Sequence, residues 1–87
     1  MLTVYSNLIK REEVLSRIGD DIQSLANLLN DITCEIKVAS AACKNKDIEA
    51  SINAMNDSEQ LFKAAGAMIE NVKGNLTSYV EIGRAHV

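Results

Sequence analysis

The chain has 87 residues, a formal net charge of −3, 47% hydrophobic residues and only 3% aromatic residues. This length limits the chain to one small domain with a thin core. Its 9 Lys and Arg residues are outnumbered by 12 Asp and Glu, which argues against a nucleic-acid surface, because phosphate binding needs clustered positive charge. The apolar residues are mainly Leu, Ile, Val and Ala, and there is no proline, so the composition favours uninterrupted helices.

The sequence also bears on location. No stretch reaches the roughly 18 consecutive apolar residues of a membrane-spanning helix, so we predict no membrane span. The N-terminal sequence MLTVYSNLIKREE has no cationic start followed by an unbroken apolar region, and we therefore predict no cleavable signal peptide. The expected location is cytoplasmic, or secreted without a cleavable signal peptide.

The first predicted helix covers residues 4–43 and carries a heptad repeat. Its leading row recurs every seven residues and consists of Leu8, Leu15, Ile22, Leu29, Ile36 and Cys43. An interleaved row consists of Val4, Arg11, Ile18, Leu25, Ile32 and Ala39. Two such rows place one seam of a helix against a partner. We expect the helix to continue through Gly19, although Asp20 and Gln23 have capping-box spacing and a break there is the alternative.

The apolar repeat stops at Lys44-Asn45-Lys46-Asp47, where we predict a turn. Asp47 is suited to cap a second helix, predicted over residues 48–80. Its leading row consists of Ile48, Met55, Phe62, Ile69 and Leu76. Its interleaved row consists of Ser51, Ser58, Ala65, Val72 and Tyr79. We expect one continuous helix, with a break at Asn56-Asp57-Ser58 as the alternative.

Folding the chain back at the turn pairs the two leading rows, with Leu29 opposite Phe62 at the centre of the predicted seam. It also pairs the interleaved rows, so that large residues of the first helix, such as Ile32, face small residues of the second, such as Ser58. We therefore predict an all-α fold: an antiparallel two-helix hairpin that forms one domain over residues 1–80.

Each predicted helix has an apolar arc wider than a two-helix seam needs. Four residues beside the predicted seam share one flank, and we predict that they bind a partner: Val14, Leu28, Leu61 and Met68. The expected partner is a helical protein or a second copy of the chain, which would complete a four-helix bundle.

No catalytic, cofactor-binding or metal-binding residues are predicted, and no small-molecule substrate. Cys34 and Cys43 lie about 13 Å apart on one helix, too far for a disulfide, and Cys43 is expected to be buried in the seam. Two cysteines and one histidine do not supply the four ligands of a zinc site. Arg11 is expected at the open end of the hairpin, near Tyr79, with its guanidinium group reaching water. The alternative is a contact of Arg11 with a partner or with residues downstream of this sequence.

Residues 81–87, EIGRAHV, leave the heptad pattern. They resemble one translated reading frame of a common sequencing-adapter oligonucleotide. We therefore predict that this segment is a non-native tail, and that His86 within it has no functional role.

The small size, the central turn and the leaderless start resemble the helical hairpins of the WXG100-like superfamily of type VII secretion. In place of that family's Trp-x-Gly turn the chain has Cys43-Lys44-Asn45-Lys46-Asp47, and Gly83 stands where its Tyr-x-x-x-acidic signal would end. Small type III secretion chaperones are similar to a comparable degree. The resemblance implies a non-enzymatic interaction module: a small secretion-associated substrate, chaperone or adaptor. The alternative is a truncated N-terminal targeting or dimerisation segment of a longer toxin, phage or signalling protein.

Overall fold

A computed structural model describes residues 2–85 of the chain, with side chains described for residues 10–83. It contains helix α1, Leu2–Lys44, and helix α2, Ile48–Ala85, and no strand in that part of the chain. The two helices pack against each other in a rod whose Cα atoms extend over 68 × 16 × 12 Å. The predicted all-α hairpin is confirmed.

Both helices are longer than predicted. Helix α1 begins at Leu2 rather than at residue 4, and α2 continues to Ala85 rather than ending at residue 80. Neither alternative break occurs, since Gly19 and Asn56 both lie within continuous helix. Residues 81–85 of the predicted tail are helical, whereas His86 and Val87 lie outside the described residues. The non-native origin of the tail stays a prediction.

The turn forms where the apolar repeat stops. Lys46 adopts a left-handed backbone conformation with φ of 64°. The Lys46 N–H donates to the Cys43 carbonyl at 3.0 Å and the Asp47 N–H to the Ala42 carbonyl at 2.9 Å, the paired bonds of a Schellman motif. Asp47 then caps α2, because its Oδ1 accepts from the Ala50 N–H at 3.2 Å. The chain thus ends one helix and starts the next within three residues.

The seam between the helices is formed by the interleaved rows. Its members are buried or half-buried: Ile18, Leu25, Ile32 and Ala39 of α1, and Ser51, Ser58, Ala65 and Val72 of α2. The Ser51 hydroxyl donates to the Ala39 carbonyl at 2.9 Å across the seam, and Arg11 lies against Tyr79 near the open end. These contacts at both ends confirm the predicted register of the interleaved rows.

The leading rows do not form the seam, and this part of the prediction was wrong. Leu29 and Phe62, predicted to face each other at its centre, are 45% and 54% exposed. Cys43, predicted to be buried, is exposed, as is Cys34. Val4 and Leu8 lie outside the residues whose side chains are described.

Side-chain volume explains which rows are buried. A large residue of α1 against a small residue of α2, as in Leu25 with Ala65, lets two helices approach closely. Two large residues, as in Leu29 with Phe62, would hold the helices farther apart. Close approach also gives Ser51 access to a carbonyl of the other helix. The interface therefore centres on the interleaved rows and leaves the leading rows at its edge.

Candidate protein interface

One side of the hairpin presents a large apolar surface, which we call the apolar face. Its members are 39–68% exposed: Leu15, Ile22, Leu29 and Ile36 of α1, and Ile48, Met55, Phe62, Ile69 and Leu76 of α2. They belong to the leading rows of the two heptad repeats, and the exposed Cys43 continues the α1 row at its turn end. None of the nine side chains is charged.

The two rows lie on the same side of the hairpin. Each member precedes a seam residue by three positions, as Leu15 precedes Ile18 and Met55 precedes Ser58. On a right-handed helix this offset always falls on the same flank of the seam. Because the helices run antiparallel, the corresponding flanks of α1 and α2 face the same direction. The nine side chains therefore form one continuous strip rather than two separate ones.

The opposite side is more polar, and we call it the mixed face. It contains Val14, Asp21, Leu28 and Glu35 of α1, and Leu61, Met68 and Asn75 of α2. Asp21 and Glu35 are half-buried, so two carboxylates interrupt its apolar residues. The apolar face has no such interruption.

The four residues predicted to bind a partner all belong to the mixed face. Val14 is 40% exposed, whereas Leu28, Leu61 and Met68 are half-buried against the other helix. The structure brings them to one flank, as expected, but much of their surface is used within the hairpin. Their role in partner binding stays a prediction.

Sequence reasoning did not identify the apolar face as exposed surface. The 3-4 spacing of apolar residues predicts that the leading and the interleaved rows lie together in the seam. The side-chain volumes of residues that face each other across the hairpin identify the exposed rows. In the leading rows a large residue is paired with a large residue. The interleaved rows oppose large to small, as Leu25 does with Ala65 and Ile32 with Ser58.

A cleft of about 480 Å³ opens between the helices at the open end, on the mixed-face side. Lys10, Arg17 and Val14 are among its lining residues. The Arg11 guanidinium carbon lies 5.0 Å from the centroid of the Tyr79 ring, a cation–π distance, which confirms the predicted placement of Arg11 beside Tyr79. The Arg11 Nε is buried, so this part of the guanidinium group does not reach water as expected. This contact ties the open ends of the helices together.

The described part of the chain contains no group of three or more His, Cys, Asp or Glu residues that could hold a metal ion. None of its helices is both long enough and apolar enough to cross a membrane. The apolar face is a feature of the described residues that packing within the hairpin does not explain.

Comparison with protein-family models, with curated proteins and with solved structures found no match to this chain.

Proposed function

We propose that this chain is a non-enzymatic protein–protein interaction module that binds a helical partner through the apolar face. The observation that carries the proposal is the continuous strip of nine large apolar side chains on one side of the hairpin, each at least 39% exposed. Large exposed apolar patches on small proteins mark interaction surfaces. A partner helix laid along this strip would bury the side chains that the hairpin leaves in water.

The length and shape of the strip favour a helical partner over a small molecule. Leu15 and Ile36, the ends of the α1 row, are 21 residue steps apart, or about 32 Å along the helix. A strip this long and narrow is suited to another helix, whose apolar ridge follows the same heptad spacing. Small-molecule sites are instead concave clefts or cavities.

The finer assignment follows the WXG100-like resemblance and is proposed with it. We propose a secretion-associated substrate, chaperone or adaptor, located in the cytoplasm or secreted without a cleavable signal peptide. What supports this is the architecture: two long helices joined by a three-residue turn.

Photo-crosslinking tests the interaction. A benzophenone amino acid is placed at Phe62 on the apolar face and, as a control, at Gln60, which is exposed on the outer side of the same helix. The protein is irradiated both alone and in an extract of cells that express it. We expect a discrete crosslinked product, to a second copy or to another protein, from position 62 and none from position 60. Failure to crosslink any protein from position 62 in either sample would refute the proposal.

A further inference from the structure

We propose that the partner on the apolar face is a second copy of this chain, packed face to face about a two-fold axis to form an antiparallel four-helix bundle. This inference rests on the proposed function and names the partner. It concerns the leading rows of the heptad repeats rather than the mixed face that carries Val14 and Leu28.

The first argument is the thin core of a single hairpin. Among the described side chains six apolar ones are buried, and three of these are alanines: Ile18, Ile32, Ala39, Ala54, Ala65 and Val72. The side chains that would normally form a core, such as Leu29 and Phe62, are about half exposed. Helical chains of this length reach stability by packing against further helices. A second hairpin would convert the apolar face into the centre of a bundle.

The second argument is area. The longer row of the apolar face, from Ile48 to Leu76 of α2, extends over 28 residue steps, about 42 Å of helix. The hairpin is 16 Å wide across its Cα atoms. A face of this size would bury roughly 700 Å² per copy and about 1,400 Å² in total, within the range of specific and stable interfaces.

The third argument is self-complementarity. A two-fold interface brings the same patch of both copies together, so the patch must fit itself. With the exposed Cys43 added at its turn end, the α1 row runs from Leu15 to Cys43 and is centred on Leu29. The α2 row from Ile48 to Leu76 is centred on Phe62. Because both centres lie at the same level of the hairpin, two copies of the face cover each other from end to end.

The fourth argument is charge. A partner of different sequence is usually selected by complementary charges, and the nine positions of the apolar face carry none. Packing two copies through the mixed face would instead bring Asp21 and Glu35 of both chains into the interface. In the described part of the chain neither carboxylate forms a salt bridge, so moving two of them from each copy out of water is unfavourable. The apolar face is therefore the side on which a second copy fits.

Sedimentation equilibrium of the purified 87-residue chain tests the inference. At high micromolar concentration we expect twice the 9.5 kDa mass of a single chain. The double variant Leu29→Glu/Phe62→Glu adds two charges at the centre of the face, and we expect its dimer affinity to fall at least a hundredfold. The matched control Asn27→Glu/Gln60→Glu adds the same charges on the exposed outer side, and we expect it to remain dimeric.

Two further variants keep the test decisive if the double variant loses its fold. Phe62→Ala removes apolar contact without adding charge, and we expect at least a tenfold weaker dimer, with the helical circular dichroism signal retained at high concentration. Val14→Glu adds a charge to the mixed face, and we expect its dimer affinity to match the wild type. A dimer broken by Val14→Glu but not by Phe62→Ala would overturn the assignment of the face.

The outcomes separate this inference from the proposed function. A wild-type chain that is strictly monomeric at high micromolar concentration overturns the second-copy inference. If position 62 still crosslinks to another protein in the extract, the interaction function stands while this inference fails. If no protein is crosslinked in either sample, both fail.

Discussion

The seam and the apolar face follow the same heptad repeat on the same two helices, yet one is buried and the other is exposed. The apolar face is the more hydrophobic of the two, since it contains no serine or alanine. The seam contains Ser51, Ser58 and Ala65 on the α2 side and is nevertheless the part that the hairpin buries.

The difference shows that volume complementarity, rather than hydrophobicity, selects the contact between two helices. Two helices gain most when their backbones approach closely enough for side chains to interdigitate. The small residues of α2 permit that approach, and the Ser51–Ala39 hydrogen bond depends on it. The more hydrophobic stripe remains outside and is available to a partner.

The largest expected effect on stability comes from an aspartate placed in the seam, compared with the same substitution on the apolar face. Ile32 is 2% exposed in the seam, and we expect Ile32→Asp to destabilise the hairpin by roughly 4 kcal/mol, because it buries an unpaired carboxylate. Leu29→Asp is expected to remove mainly the stability that depends on protein concentration, since Leu29 is 45% exposed in the hairpin and a second copy would cover that part. Urea unfolding, followed by circular dichroism at two protein concentrations, measures the free energy of unfolding that each variant loses. Equal losses from both variants at low concentration would contradict the exposed assignment of Leu29.

A smaller effect is expected from adding volume to the seam. We expect Ala65→Leu to destabilise the hairpin by about 1–3 kcal/mol, because a large side chain opposite Leu25 forces the helices apart. The control is Ala67→Leu, which makes the same change at an exposed position of α2 and should alter stability by less than about 0.5 kcal/mol. Thermal unfolding of both variants provides the comparison. Indistinguishable melting temperatures would show that the seam is not closely packed.

The hydrogen bond across the seam has a smaller expected contribution. Ser51→Ala removes the hydroxyl that donates to the Ala39 carbonyl, and we expect a loss of about 1 kcal/mol. Thr77→Ala is the control. The Thr77 hydroxyl is exposed and donates at 2.8 Å to the Lys73 carbonyl of the same helix, so its hydrogen bond does not cross the seam. Chemical denaturation should show little change for this control. A Ser51→Ala variant as stable as wild type would argue against a close approach of the two helices at the turn end of the hairpin.

The smallest expected effect lies in the turn, which sets the register shared by both regions. Lys46 has a positive φ, a conformation that costs an L-residue about 1–2 kcal/mol and that glycine adopts freely. After the entropic cost of glycine, we expect Lys46→Gly to stabilise the hairpin by roughly 0.5 kcal/mol. Lys44→Gly, in the last turn of α1, should instead destabilise it. The order of their unfolding midpoints checks this, and a reversed order would contradict the left-handed assignment.

The sequence alone determined the hairpin and its register. The loss of apolar periodicity at residues 44–47 located the turn, and Asp47 had the side chain and position of a helix cap. The pairing of Ile32 with Ser58 and of Arg11 with Tyr79 also followed from the repeat. These features are local, or they follow from helix geometry once the turn is known, so pattern and spacing are sufficient to predict them.

The heptad row that lies between the helices was evident only from the way the two helices pack. A repeat read along one chain identifies a wide apolar arc, and Leu29 and Ile32 are equally plausible centres of that arc. The choice depends on how close two backbones come, which is a property of paired volumes across the seam. Small side chains on α2 allowed the approach, and the largest apolar residues were consequently left exposed on one side of the hairpin.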